Sequence, residues 1–383
     1  MSGTTYSKEN MENKVIVIGG DHHNTLGVIR GLGERNVYSD LVYVTDSKLS
    51  YVNYSKYVRM SIKISAEEEI ISILLSQFKD EKNKSVVICC SDKSSSVIDE
   101  NRDKLSPYFI LPGADEQGRI TELMSKKKMA ELALSVGFNI PRTTYIRNPE
   151  TELSQIQLPC IIKPLESRKG SKSEIAICRT FENLDSYSKV HDIRNDQIQD
   201  YIDKDFEYQL IGCSTKSEVI IPGVSKILRP CKGSNTSFLL YTPLEDGFCD
   251  IEKCKEFVRQ TGYHGLFSLE FLRDKNGKDY FMEINFRNDG NSICVLAAGM
   301  SLPYIWYLDC MGSDYSQESN KEIESVYVMP DMAELKLLAT RQIGLKEYIS
   351  DFRKTNRFME YDKKDPKPFW KLVKYQICSK INI

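Results

Sequence analysis

The stretch that decides the fold is residues 264–290, HGLFSLEFLRDKNGKDYFMEINFRNDG. Asn276-Gly277 at its centre is the dipeptide of a type I′ hairpin turn, which needs positive φ at both central positions. Apolar-rich runs flank it at 266–272 and 280–286. A two-residue loop sets Phe271 opposite Met282, Glu270 opposite Glu283 and Leu269 opposite Ile284. Side chains alternate along a strand, so Glu283, Asn285 and Arg287 share a face with Glu270, while Met282, Ile284 and Phe286 face a core.

Directly opposed Cβ atoms in such a pair lie ~4.5–5.5 Å apart, and like charges there repel. A divalent cation between the two carboxylates resolves the conflict. Mg²⁺ takes carboxylate and amide oxygens and keeps sites for phosphate. Glu270, Glu283 and Asn285 are the ligand set this chemistry asks for, and Arg287 is placed to hold a phosphate or carboxylate bidentately. A merely solvated hairpin face predicts mixed Lys, Glu and Thr pairs instead.

Upstream, β-branched runs at 14–18 (KVIVI), 40–45 (DLVYVT) and 85–90 (SVVICC) alternate with helical spacing, which predicts a small parallel α/β domain. Its strand ends, Gly19-Gly20-Asp21 and Ser91-Asp92, face a ligand crevice in such a sheet. The GGDHHNTLG turn is not GxGxxG, and no Walker A pattern occurs, so a tight turn into a helix is the simpler reading. A helix is predicted over 121–137 and another over 181–190. Strands are predicted at 158–163, 174–178 and 197–202, and an antiparallel region near 206–212, 218–224 and 236–242 precedes a helix at 250–261. Arg229 points to the hairpin's cleft, as a second phosphate or substrate contact, if those antiparallel strands lie beside it. After about residue 312 the pattern reads as charged and irregular.

Composition narrows the class. The 383 residues are 41% hydrophobic and 28% charged, ordinary for a globular chain of two or three domains. A net charge of −2 advertises no nucleic acid partner. No run approaches the ~18 apolar residues that span a bilayer, and the first thirteen residues carry no secretory h-region. We therefore expect a soluble cytoplasmic protein with no membrane partner. Eleven cysteines are scattered without a CxxC pair, which reads as buried reduced thiols. The four histidines have no acid or cysteine partners at catalytic spacing.

The ordered set of motifs resembles the ATP-grasp superfamily. MEINFRNDGNS is similar to that family's metal-binding strand, E-x-N-P-R, with Phe286 in place of proline, and Glu270 matches its upstream acid. The resemblance implies that Lys126, in a run with Lys127 and Lys128, and Lys163 contact the ATP phosphates. It implies that a loop with a single glycine, Gly170, covers them, and that Gln199, Asp200 and Ile202 form the adenine hinge. Asp205 or Glu207 falls where a ribose-binding acid is expected.

The architecture so implied combines α/β and α+β parts. A polar tail (1–13) precedes a Rossmann-like domain (14–120), a lid and nucleotide subdomain (121–203), an antiparallel subdomain with the metal site (204–315) and an extension (316–383). ATP and Mg²⁺ (or Mn²⁺) are the implied cofactors. The implied chemistry joins small-molecule carboxylate and amine (or thiol) substrates through an acylphosphate, in a possible homodimer. The SKxK, EIN and AAG stretches are most similar to carboxylate–amine ligases of the D-aspartate ligase type. Such ligases act on cell-envelope or secondary-metabolite building blocks. Two other classes are a nucleotide-binding module without turnover and an NAD-dependent oxidoreductase built on residues 14–120. The latter requires the missing GxGxxG.

Overall fold

The structure, a computed structural model, describes residues 14–46, 50–164, 175–230, 237–244 and 247–381. The chain forms two compact units. One is Met1–Thr121 with Gln209–Ser268 and Asn285–Ile383; the other is Glu122–Tyr208 with Leu269–Ile284.

The first unit opens with β1 (Val15–Gly19), α1 (His23–Gly33), β2 (Ser39–Val44), β3 (Val58–Ile64), β4 (Ser85–Cys89), α2 (Asp92–Glu100) and β5 (Phe109–Ile110). The strands make a parallel sheet of order β3-β2-β1-β4-β5. β1 and β4 are buried along their whole length, as continuous apolar runs must be in a parallel sheet covered on both faces. β3 was not legible in the sequence. It lies at the sheet edge, where VRMSIKI is mostly exposed or half-buried. The glycines at the end of β1 answer to packing rather than to a dinucleotide. A Cβ on Gly19 would sit 2.3 Å from Thr25 Oγ1, and one on Gly20 3.0 Å from the Val44 carbonyl. α1 starts at once, with His22 as N-cap: its Nδ1 accepts the Asn24 N–H at 3.2 Å.

The second unit carries β6 (Thr143–Tyr145), β7 (Cys160–Pro164), β8 (Ala176–Cys178) and β9 (Asp196–Asp200) in an antiparallel sheet of order β6-β9-β7-β8. With α3 (Lys126–Ser135) and α4 (Phe181–Val190), these strands complete the unit's small-sheet region, whose own core includes Ile146, Ile162, Leu184 and Ile198. The loop expected to cover phosphates, with Gly170, lies outside the described residues.

An eight-stranded sheet follows. Its strands are β10 (Lys204–Ser214), β11 (Val219–Ile220), β12 (Gly223–Pro230), β13 (Ser237–Pro243), β14 (Gly265–Asp274), β15 (Asp279–Asn285), β16 (Val326–Met329) and β17 (Arg357–Phe358). The order is β15-β14-β10-β12-β13-β16-β17, with β11 on β10. α5 (Ile251–Thr261) precedes the hairpin. α6 (Ile293–Ala297) and α7 (Leu302–Cys310) follow it as buried core helices. Among the described residues no single helix is long and apolar enough to cross a membrane. The expectation of irregular chain beyond residue 312 is overturned. That region supplies β16 and β17 to the sheet, and α8 (Asp331–Ala339), α9 (Leu345–Lys354) and α10 (Lys367–Ile381).

The hairpin also departs from its expected turn. The Asp274 carbonyl accepts the Gly277 N–H at 3.0 Å, and the Asp274 N–H donates to the Lys278 carbonyl at 2.9 Å. Gly277 has φ +81, whereas the only non-glycine residues with positive φ among those described are Asn36 and Arg341. The loop is therefore the three residues Lys275-Asn276-Gly277, a tight turn closed by a left-handed glycine, and not type I′. This turn sets Arg273 against Asp279, an ion pair at 2.6 Å, one place off the two-residue register. At the other end Asn285 Nδ2 donates to Ser268 Oγ at 3.2 Å, which is the two-residue register. One extra residue must therefore lie in β15 between them. The amides locate it: Phe281 N–H leaves the pair for the Asn139 carbonyl (2.8 Å), and Ile284 N–H leaves it for Met129 Sδ (3.4 Å). Outward amides recur at even spacing in a regular strand, so a bulge falls between 281 and 284. Met282 and Glu283 then lie together across from Glu270.

Candidate active site

In the second unit, α3, β7, β10 and β15 each deliver one charged side chain to the same neighbourhood. Lys126 occupies the first turn of α3, which has no acidic residue there. A cation at a helix N-terminus sits against the helix dipole and adds nothing to the helix. Of the three adjacent lysines, Lys126 is half-buried and Lys127 exposed; Lys128 is exposed and paired with Glu122 at 3.0 Å. Lys163 projects from β7 and is half-buried. Burial lowers its pKa, Lys126 lowers it further, and Glu283 and Glu207 pull it back up. Burial also lowers the pKa of Lys126, against the pull of Glu283. Two ammonium groups and two carboxylates thus share one field, and desolvation of the lysines outweighs the acids.

Glu207 on β10 is half-buried and bonded to Lys204 at 2.6 Å, while Asp205 is exposed. Of the two ribose candidates, Glu207 is the one whose charge acts on Lys163. Gln199 lies in β9 opposite Ile161 and Thr143, its Nε2 donating to Thr143 Oγ1 at 3.0 Å. Asp200 pairs with Arg142 at 3.2 Å, and Ile202 lies in the short link between β9 and β10. Glu270 and Glu283 are both half-buried.

In the first unit the end of β15 carries a hydrogen-bonded network. Arg287 Nε donates to Asp92 Oδ1 (2.9 Å), one terminal nitrogen to Asp289 (3.3 Å) and the other to Asn285 Oδ1 (3.0 Å). Asp289 also accepts from Ser268 Oγ at 3.1 Å. The side chains of Arg287 and Asp289 are nearly buried, whereas that of Asp92 is 58% exposed. Asp92 sits at the strand end the sequence placed on a crevice. The network members that sequence reasoning missed are Ser268 and Asp289. The only signal for Asp289 was its position two residues past Arg287. His22 is solvent-accessible but hemmed in. Desolvation lowers its pKa, Asp289 pulls it up and Arg287 pushes it down.

Arg229 does not join either group. Its guanidinium is held by Glu334 (2.7 Å), Glu347 (2.6 Å) and Asp351 (2.9 Å). Three carboxylates already saturate it, so the expectation that it contacts phosphate or substrate is corrected to a structural role joining β12 to α8 and α9.

The residues fit a polyanion with a hard cation. Desolvated lysines at a helix start and on a strand suit phosphate oxygens, and glutamates suit Mg²⁺. Among the described residues no three His, Cys, Asp or Glu side chains gather as a metal cluster.

No family model matches the chain. It is similar to a D-aspartate ligase of Enterococcus faecium (strain Aus0004), 22% identical over 341 residues, covering 77% of this chain and 76% of the relative. The solved L-amino acid ligase from Bacillus licheniformis superposes with a TM-score of 0.63 at 14% identity, over 83% of this chain and 79% of that one. The biotin carboxylase domain dimer of Hydrogenobacter thermophilus 2-oxoglutarate carboxylase, solved with MgADP and bicarbonate, gives 0.63 at 16% identity, over 82% and 73%. The fold is the ATP-grasp fold. Within it, the chain is a distant homologue of the D-aspartate ligase.

Proposed function

We propose that this ATP-grasp ligase joins a small carboxylate, an amino acid, to an amine through an acylphosphate, releasing ADP and phosphate. The observation that carries the reading is the convergence of Lys126, Lys163, Glu207 and Glu283 in one partly desolvated field. Lys126 and Lys163 would hold the polyphosphate. Glu207, with the backbone of Gln199, Asp200 and Ile202, would hold the nucleoside. Glu270, Glu283 and Asn285 would hold Mg²⁺. Bound Mg-ATP supplies the phosphoryl group and neutralises charge as it moves.

The chain's own residues align and compensate charge, which is what phosphoryl transfer asks of a protein. Arg287 is oriented by Asp289 and Asn285. Asp92, the exposed member of its shell, is the partner an incoming carboxylate would displace. The names of the two amino-acid ligases support an amino acid as substrate, and the described biotin carboxylase dimer supports a homodimer. The test is a screen of amino acids and amines for Mg-ATP-dependent phosphate release. Coupled release of ADP and phosphate with a joined product is expected. ATP binding without turnover across the panel would overturn the ligase reading.

A further inference from the structure

We propose that α9 and α10 present a docking face for an anionic phospholipid surface. α9 leaves Leu345 (61%), Ile349 (39%) and Phe352 (48%) exposed at positions i, i+4 and i+7, a single stripe. α10 exposes Trp370 (60%) and Ile377 (53%), again seven residues apart, with exposed Lys374 between them. α10 is nevertheless anchored. Pro368 is buried, Leu372 packs on the main core, and Lys371 Nζ lies 4.1 Å from the Tyr54 ring centre. Ring contacts of 5.2–6.4 Å run from Phe352 through Phe358, Tyr361 and Phe369 to Trp370, so a continuous chain of rings links the two stripes. Large apolar side chains displayed together mark an interaction surface.

The charge around this face is predominantly basic. Residues 341–377 hold ten basic and five acidic side chains, in a chain whose net charge is −2. Four of the five acids are turned inward: Asp351 onto Arg229, Asp362 onto Arg357, Asp365 onto Arg30, and Glu360 buried, while Glu347, also paired with Arg229, is half exposed. Lys346, Lys363, Lys364, Lys367 and Lys374 are exposed.

The chemistry selects the partner. Lysine is a compact point charge on an apolar stem, suited to a diffuse anionic plane rather than to bidentate recognition. Tryptophan and isoleucine beside it are what an interfacial helix inserts at the headgroup boundary. A second copy of the chain would set like charges against each other. The expectation of no membrane partner rested on the lack of a spanning run, which a helix lying on a surface does not need.

The test uses the full chain and vesicles of phosphatidylcholine, with and without phosphatidylglycerol. Sedimentation with the anionic vesicles only, lost at high salt, is expected. So is a blue shift of tryptophan emission that disappears in Trp370→Phe. Combined Lys363→Glu, Lys364→Glu and Lys367→Glu should cut partitioning by about tenfold or more and leave ATP turnover unchanged. Equal partitioning onto both vesicle types, indifference to salt and to the triple variant, or preferential binding of an oligonucleotide would overturn the proposal. So would self-association abolished by Trp370→Ala in a protein that binds no vesicles.

Discussion

Lys163 is a lysine whose burial works against its own charge. Its folded pKa lies below the unfolded value, so the unfolded chain binds more protons in the alkaline range up to 10.5. Stability should therefore rise with pH there, and the cost of the buried charge is fully present below the folded pKa. Lys163→Met should leave the ligand-free protein as stable as the wild type, or up to about 1 kcal/mol more stable at neutral pH. It should flatten the alkaline rise and weaken ATP binding by ~1.5–3 kcal/mol. Calorimetry with ATP and melting curves across pH check both. Lys127→Ala, on the solvated side of the run that holds Lys126, should change neither. Glu283→Gln should abolish turnover while the fold persists, since it removes a ligand charge from a half-buried site without removing volume. Circular dichroism alongside phosphate release checks it.

The hairpin shows how an element can be legible for a reason that is only half right. Asn276-Gly277 correctly announced a hairpin, but the loop has three residues, and only Gly277 is left-handed. Gly277→Ala should cost about 1 kcal/mol, whereas Asn276→Gly should give no stabilisation, the reverse of a type I′ turn. Ile284→Ala should cost ~2–5 kcal/mol by leaving a core cavity. Chemical denaturation measures all three. The offset at the turn would have moved Glu283 off Glu270's face, and the bulge between 281 and 284 moves it back. No single-sequence pattern announces such a bulge, because it is set by amides that bond to Asn139 and Met129 far along the chain. The parallel strands β1, β2 and β4 were legible because burial on both faces demands continuous apolar runs. β3 was not, because an edge strand need not be apolar. α9 did carry a readable signal, Leu345, Tyr348, Ile349 and Phe352 at helical spacing, but its charges obscured it.

Across the whole molecule, the region after residue 312 is part of the first unit's framework. Arg30 in α1 is fully buried, and its Nε bonds to Asp365, itself 1% exposed, at 3.2 Å. The same carboxylate accepts from Ser55 Oγ at 2.7 Å. Asp365→Ala should destabilise the protein by ~3–5 kcal/mol, because it strands a buried guanidinium, and a denaturant titration reads this directly. The family features that sequence could rank, the EIN strand and the two lysines, are local. What sets Arg229 apart from them is the long-range placement of Glu334, Glu347 and Asp351, which no spacing encodes. The central claim is that Lys126, Lys163 and the acids of the hairpin bind Mg-ATP for ligation. The most direct measurement is ADP and phosphate release with an amino acid and an amine present, in the wild type and in Glu283→Gln. The account predicts substrate-dependent release with a joined product in the wild type and none in the variant. Equal release by both, or none by the wild type with any carboxylate offered, would contradict it.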